Sequence, residues 1–302
     1  MIRGFRPEDA EAAAGLVRAV DPEAVMTAAL VLHWLEGQPA RARPRYWIAE
    51  EGGDVVGWAR ARLDWATSEP GLASFWGCVR PDRTGMGIGT ALLAEVERHL
   101  AELDARKLRT WAADEPAERF LAHRGFAATG RERKSVLDVA AASPREPSVP
   151  AGFRIATLRA VIDRQQELHA LYTGTLVDVP MEARENNVPF DDWVREMLGS
   201  PALDLDGSFV VLAGERPVAF SWLETDHERG LAANEMTGTL PDFRRRGLAR
   251  AAKIATIEWA RDAGISEIWT TNDEPNAAML ALNDQLGYRA TGWEVGYSRS
   301  AD

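Results

Sequence analysis

The chain has 302 residues, 46% of them apolar and 27% charged, with a formal net charge of −11. That length suits two domains, the composition is that of a soluble globular protein, and the negative charge disfavours a general nucleic-acid partner. The single cysteine, Cys78, excludes an intramolecular disulfide and a Cys-cluster zinc site, and no metal site is expected. The opening Met1-Ile2-Arg3-Gly4-Phe5-Arg6-Pro7 lacks the apolar run of a signal peptide. No apolar run approaches the roughly 20 residues that span a bilayer. The expected location is cytoplasmic, with no membrane partner. Eleven tryptophans, spread from Trp34 to Trp293, predict several small aromatic cores.

In chain order, residues 2–6 predict a short strand, and Pro7-Glu8-Asp9 predicts a helix start with acids in its first turn. Helical text runs to about Val20, and residues 26–35 read as a second helix ended by Gly37 and Pro39. Residues 46–49 and 55–59 are strands joined through the hairpin signal Glu51-Gly52-Gly53-Asp54. A strand over 72–79 leads into a glycine loop. A helix over 88–100 follows, with Ile88, Leu92, Val96 and Leu100 at intervals of four. Then come a strand over 107–112, a short helix over 116–122, Arg124-Gly125-Phe126, and a strand reaching about Val139. Residues 140–151, with three prolines and four alanines, read as a linker.

After the linker the pattern restarts. Residues 153–156 match the opening strand, 165–172 and 190–198 the two helices, and 209–213 with 218–223 the hairpin. Residues 232–240 form the strand before an arginine-rich loop, and a long helix carries Leu248, Ala252, Ala255 and Trp259 on one face. A strand over 267–270, a helix from Pro275 to Gly287 and closing strands from Tyr288 complete the copy. Pro81 and Pro241 lie 160 residues apart, as do Gly87 and Gly247, while Gly57/Ala219 and Gly125/Gly287 lie 162 apart. A near-constant offset predicts two copies of one fold, divided as 1–139, linker 140–151 and 152–302. Pro116 to Gly125 spans nine residues against twelve from Pro275 to Gly287, so the first copy has lost about one helical turn.

Each copy runs strand, proline, basic loop, small residues, helix. Backbone N–H groups at a helix start make a ready anion site. Gly85-x-Gly87-x-Gly89 is not the dinucleotide fingerprint, because its third glycine comes one residue early, and neither loop ends in the Gly-Lys-Ser/Thr of a nucleotide P-loop. Taken alone, Arg244-Arg245-Arg246 also fits a solvated basic turn.

The repeated order resembles the GCN5-related N-acetyltransferase family, here in tandem and over nearly the whole chain. The family's acyl-CoA signature is Arg or Gln, two residues, Gly, one residue, Gly or Ala. Arg244, Arg245, Arg246, Gly247, Leu248 and Ala249 satisfy it, and a second family segment runs from Thr271-Asn272 through Asn276-Ala277-Ala278-Met279 and Asn283 to Gly287-Tyr288. The resemblance implies an α/β (α+β) fold: two tandem domains, each a mixed, mostly antiparallel, splayed sheet flanked by helices. In the first copy Thr84 takes the place of the Arg or Gln, although Gly87 and Gly89 match. Val79, Thr84, Gly85, Gly87 and Gly89 make the candidate second cofactor site, which either binds CoA weakly or only supports the other domain, and the working site is expected in the C-terminal copy.

The implied activity is transfer of an acetyl group from acetyl-CoA, the co-substrate, to a primary amine of a small molecule by direct attack in a ternary complex. The alternative is a non-catalytic acyl-CoA-binding or sensing protein. Backbone N–H groups from Arg245 to Ala249 would hold the pyrophosphate, Gly247 and Ala249 leaving room for it and the arginines adding charge-assisted bonds. The resemblance further implies that Met236, Thr237, Gly238, Thr239 and Leu240 pair with the pantetheine arm, with Asn276 and Met279 close by. Glu235 stands where some relatives carry a basic glutamate; it is a base or a solvent-facing strand residue. N–H groups near residues 236–238 would serve the oxyanion. Asn283 occupies the place of a tyrosine in many relatives; it can hydrogen-bond sulfur or a carbonyl but cannot act as an acid at neutral pH. The acceptor segment would include Asp178 and Glu182, which suit a cationic amine. Monomer and homodimer both remain open.

Overall fold

A computed structural model of the chain describes residues 1–142, 147–176 and 188–301. The expected elements form with small changes at their ends. Strand β1 (Ile2–Gly4) leads through a 3₁₀ turn to α1 (Ala10–Val20) and α2 (Ala28–Gly37). The Thr27 hydroxyl caps α2 by accepting from Leu30 N at 3.1 Å. The hairpin β2 (Arg45–Glu51) and β3 (Asp54–Leu63) turns on Gly52 and Gly53, at φ 60° and 94°. Next come β4 (Leu72–Val79), α3 (Ile88–Glu102), β5 (Lys107–Ala112), α4 (Glu115–Ala122) and β6 (Ala127–Asp138). The second copy supplies β7 (Phe153–Thr157), α5 (Gln165–Leu176) and α6 (Phe190–Trp193), which continues as a π turn over Val194–Leu198. It goes on with β8 (Phe209–Ala213), β9 (Arg216–Asp226), β10 (Leu231–Thr239), α7 (Leu248–Asp262), β11 (Glu267–Asp273), α8 (Ala277–Leu286) and β12 (Arg289–Ser300).

The chain packs as two units, and they do not follow the linear division at 139 and 152. One comprises residues 1–131 with 188–192 and 294–301; the other comprises 132–176, less 143–146, with 193–293. In the first, the strand order is β1-β2-β3-β4-β5 followed by β12, whose Val295 to Ser300 run antiparallel to Ala112 to Lys107. In the second, the order is β7-β8-β9-β10-β11 followed by β6, whose Asp138 to Glu132 run antiparallel to Glu267 to Asp273. Each unit thus takes its last strand from the other half of the sequence. Among the described residues β4 with β5 and β10 with β11 pair in parallel, which makes each sheet mixed and mostly antiparallel.

The long helix of each copy buries its apolar stripe on the sheet. In the first unit Leu92, Val96 and Leu100 of α3 pack with Trp47, Ala59, Leu108 and Tyr297. In the second, Ile254, Ile257 and Ala260 of α7 pack with Leu223, Ala232 and Ile268. Each fully buried leucine or isoleucine contributes roughly 1.5–3 kcal/mol. The tryptophans divide as expected: Trp58 meets Trp76 at 5.6 Å in the first unit, and Tyr172, Trp193 and Trp222 cluster within 6.0 Å in the second. The late helix is shorter in the first copy by two residues, eight against ten, rather than by a full turn. No helix among the described residues is long and apolar enough to cross a membrane.

Candidate active site

The parallel ladder between β10 and β11 lasts only from Leu231↔Glu267 to Ala233↔Trp269. Beyond it β10 continues against β9 and β11 against β6, so the two strands part. Thr270 Oγ1 donates to Asn234 O at 3.2 Å across the apex of the opening. This is the splay that the sequence resemblance implied, and it places Met236, Thr237, Gly238 and Thr239 along one edge.

A β-bulge sits at that apex. The β9–β10 register shifts between Ala233 and Met236, so Asn234 and Glu235 together oppose Leu223. Asn234 is pinned in the buried interior: its Nδ2 donates to Ser221 Oγ at 3.1 Å and Trp222 O at 2.8 Å. Its Oδ1 accepts from Thr237 Oγ1 at 3.1 Å and from the Lys253 ammonium. Lys253, on α7, is 2% exposed and lies 4.8 Å from the centre of the Tyr288 ring. Burial pulls its pKa down to about 7. With Asn234 turned inward, the bulge leaves Glu235 exposed.

Glu235 has a carboxylate neighbour that sequence reasoning misses. Glu224, on β9, pairs with Ala233 in the ladder and is half-buried. Burial, with the like charge of Glu235 added, pushes Glu224 up to about 8, while a hydrogen bond from Ser200 Oγ at 3.3 Å acts against the shift. The one available signal was an acid ending the apolar run Val218-Ala219-Phe220-Ser221-Trp222-Leu223; its meeting with Glu235 depends on hairpin register and a bulge. Beside the pair, Trp222 stacks on Tyr172 at 5.8 Å and 9°.

At the far end of the cleft the loop takes the form expected. A 3₁₀ turn over Pro241–Phe243 leads to Arg244, Arg245 at φ 60° and Gly247 at φ 76°, which is the N-cap of α7. The first i→i−4 bond joins Ala251 N to Gly247 O at 2.9 Å, so the N–H groups of Leu248, Ala249 and Arg250 precede the helical ladder. A Cβ on Gly247 would meet nothing within 4 Å, which leaves the approach to those groups open. Leu248 itself is 2% exposed and packs inward, so only its backbone faces the loop. Arg244 Nε donates to Thr239 O at 3.1 Å, and Arg246 Nη2 to Asp242 O at 3.2 Å. Gly238 is small for another reason: a Cβ there would come within 2.8 Å of Thr175 on α5. Its bare backbone lets that helix lie against β10.

Asn276 caps α8, its Oδ1 accepting from Met279 N at 3.3 Å. Asn283 is fully buried; its Nδ2 donates to Asn272 Oδ1 at 2.6 Å, and its Oδ1 has no partner among the described residues. Met279 is half-buried on the same helix. Asp178 and Glu182 lie outside the described residues.

The first unit repeats the splay without the bulge. Its parallel ladder runs from Leu72↔Lys107 to Ser74↔Arg109, and β4 pairs with β3 in unbroken register with no bulge. Gly85 and Gly87 have φ 76° and 83°, Val79 packs on the core, and Thr84 Oγ1 donates to Pro81 O at 3.0 Å. The loop's arginines are matched by acids: Arg80 by Asp82 at 2.7 Å, and Arg83 by Glu51 at 2.7 Å and Asp82 at 2.8 Å. Gly89 faces the Phe120 ring, 3.5 Å from where its Cβ would be, with the Arg124 guanidinium 3.7 Å from the centre of that ring.

Comparison with known proteins finds the same repeat. The sequence profile described as the acetyltransferase (GNAT) family matches residues 16–126 and again 166–288. A mycothiol acetyltransferase of Nocardiopsis dassonvillei is 26% identical over 307 aligned positions, covering 94% of this chain and 90% of that protein. One from Nocardia farcinica is 28% identical, covering 87% and 84%. Among solved structures, a tandem GNAT protein from the clavulanic acid biosynthesis pathway superposes with a TM-score of 0.78 at 20% identity, covering 100% of this chain and 98% of that one. A GCN5-related N-acetyltransferase from Sphaerobacter thermophilus superposes at 0.69 and 18% identity, covering 99% and 95%. At these identities the structural likeness speaks to fold alone.

Proposed function

The chain belongs to the acetyltransferase (GNAT) family, and from that premise we propose that its C-terminal half carries the acetyl transfer, to a primary amine of a small molecule. The protein is an acetyl-CoA-dependent N-acetyltransferase; the proposal concerns where and how it works. The observation that carries it is the coincidence, in one splay, of a carboxylate pair at the apex and an arginine loop at the mouth.

Acetyl-CoA would lie along the edge of β10. The N–H groups that open α7 would take the pyrophosphate, with Arg244, Arg245 and Arg246 adding positive charge. Met236, Thr237, Gly238, Thr239 and Leu240 would pair with the pantetheine arm, and Asn276 and Met279 would flank it. The thioester then comes to the apex, where backbone N–H groups of residues 236–238 are the donors for its carbonyl oxygen. The amine arrives protonated and must lose a proton before it attacks. Glu235, exposed beside Glu224, takes that proton directly or through water. Attack forms the C–N bond, the C–S bond breaks, and the thiolate leaves with the proton released by the nitrogen. Asn283, being fully buried, would position Asn272 on β11 rather than touch the reacting atoms. An anionic apex suits an acceptor that is cationic on arrival, and the name of the relatives, mycothiol acetyltransferase, also points to a small molecule. In the N-terminal half, Val79, Thr84, Gly85, Gly87 and Gly89 remain as a degenerate loop.

The test is Glu235→Gln, assayed by thiol release from acetyl-CoA over a panel of small primary amines. Loss of one general base lowers kcat by about 100-fold, with the KM for acetyl-CoA unchanged. Full turnover in that variant across pH 6 to 9 would remove Glu235 from the mechanism.

A further inference from the structure

One side chain closes the apex of the C-terminal splay. The parallel ladder ends at Ala233↔Trp269. One residue further along each strand, Thr270 Oγ1 donates to Asn234 O at 3.2 Å, and Thr270 is 7% exposed. Backbone carbonyls of a strand point across to the neighbouring strand. The Thr270 hydroxyl therefore sits in the opening between β10 and β11. Behind it stand the ladder pairs Ala233↔Trp269 and Ala232↔Ile268, with Ala232 and Ile268 fully buried.

Both ends of this bond are held. The Asn234 side chain donates to Ser221 Oγ at 3.1 Å and Trp222 O at 2.8 Å, and accepts from Thr237 Oγ1 at 3.1 Å and from Lys253. Thr256 Oγ1 donates to Ser221 Oγ at 3.3 Å, which ties the same network to α7 a second time. With its side chain so fixed, Asn234 cannot draw its carbonyl back. On the other strand, Thr270 pairs with Ser135 of β6 in an antiparallel ladder that runs unbroken from Glu267↔Asp138 to Asp273↔Glu132. A close-packed interior yields little to an inserted group, so the closure acts as a rigid stop.

We propose that Thr270 sets the length of the acyl chain: its bond to Asn234 O is the floor of the acyl pocket, leaving room for the methyl of an acetyl group and stopping longer chains. The inference rests on the reading above, in which acetyl-CoA lies along β10 and the N–H groups of residues 236–238 hold the thioester carbonyl. From that carbonyl the acyl chain continues in the direction of the arm, from Leu240 past Met236 towards Asn234. Strand residues advance about 3.3 Å each, so the stop stands only two residues beyond the first of those N–H groups. A longer chain must part the two strands or pull its carbonyl away from the N–H groups and from Glu235. The pyrophosphate and arm keep their contacts in either case, so the cost falls on kcat rather than on KM. A displacement of about 1 Å at the reacting atoms lowers the rate about 100-fold.

The experiment gives the full chain acetyl-, propionyl- and butyryl-CoA in the thiol-release assay, with the best amine of the panel. In the unaltered protein each added methylene lowers kcat by about tenfold or more, while the KM for the donor changes little. Thr270→Val keeps the shape of the side chain and removes the hydroxyl; it raises the butyryl-to-acetyl ratio of kcat by at least about tenfold. Thr270→Ser keeps the hydroxyl and holds the parent ratio. Equal turnover of butyryl and acetyl groups by the unaltered protein overturns the proposal, and so does a parent ratio in folded Thr270→Val. Glu235→Gln separates this outcome from the reading beneath it. Lost acetyl turnover in that variant, with an unmoved ratio in Thr270→Val, sinks the acyl stop alone; full turnover in Glu235→Gln strikes the base instead. If the valine variant does not fold, a crystal structure of the unaltered chain with butyryl-CoA decides. Acyl carbons turned aside from an intact Thr270–Asn234 bond support the proposal, and acyl carbons passing between β10 and β11 overturn it.

Discussion

Arg245 holds a left-handed backbone conformation, φ 60°, at the position where the N-terminal loop has Gly85 at φ 76°. For a residue with a side chain this conformation costs about 1–2 kcal/mol, which glycine avoids. Keeping arginine there fits a side chain retained for ligand binding, and a strained residue at a ligand loop is a recurrent trade. Arg245→Gly is therefore expected to raise stability in urea by about 0.5–1 kcal/mol, net of glycine's larger freedom when unfolded. The same change raises the KM for acetyl-CoA several-fold. An unaltered KM would remove Arg245 from the cofactor loop. The form of the loop at residues 244–249 was readable from sequence because the segment is contiguous and its small residues have local causes. Glu224 was not, because its neighbour Glu235 reaches it only through the hairpin register and the bulge.

The β10 bulge belongs to the element scale, and α7 secures it. Lys253 is 2% exposed and reaches Asn234 with its ammonium, so helix and bulge are tied through one buried polar bond. The pKa of Lys253 falls from an ordinary 10.5 to about 7 on folding. Between those values the unfolded chain binds a proton that the folded chain does not, so stability rises with pH across that interval. The contribution is fully present above about 10.5 and is lost as pH falls through about 7. Lys253→Met, of similar length, should flatten the pH dependence of urea stability between pH 7 and 10 and gain most over the parent near pH 6. It should also lower kcat, because Asn234 loses an anchor and Glu235 its fixed aim. A slope that is the same in both proteins would mean that Lys253 keeps its charge inside. The helix was legible from its stripe of Leu248, Ala252 and Ala255. The lysine on its buried side was not, because only the bulge above it supplies an oxygen to meet it. Gly238 shows the same limit: its glycine answers to Thr175 on α5, a contact between segments more than sixty positions apart in the chain.

At the scale of the whole molecule, the repeat was visible in the sequence but the exchange of last strands was not. The offset between Pro81 and Pro241 reports that one fold occurs twice; it says nothing about which copy each closing strand joins, since β6 and β12 have the same length and a similar place in their repeats. The consequence is that the last residues of the chain are structural parts of the N-terminal unit. Val295 to Ser300 cover the edge of β5, and Tyr297, 6% exposed, sits in the core under α3 with its hydroxyl donating to Glu118 Oε2 at 3.0 Å. Arg299 adds bonds to Arg124 O at 2.8 Å and to Glu97. Ending the chain at Trp293 uncovers the β5 edge and empties the place of one buried aromatic ring, a loss of about 3–5 kcal/mol for the ring alone. The distant N-terminal unit should lose protection first. By hydrogen exchange, residues 54–63, 72–79 and 107–112 speed up together, while residues 216–226, paired wholly within the other unit, keep their protection. Equal loosening of both regions would mean that the truncation acts on the molecule generally. Unchanged exchange at 107–112 would mean that β5 holds its edge without β12, and that the exchanged strand is dispensable to the unit it completes.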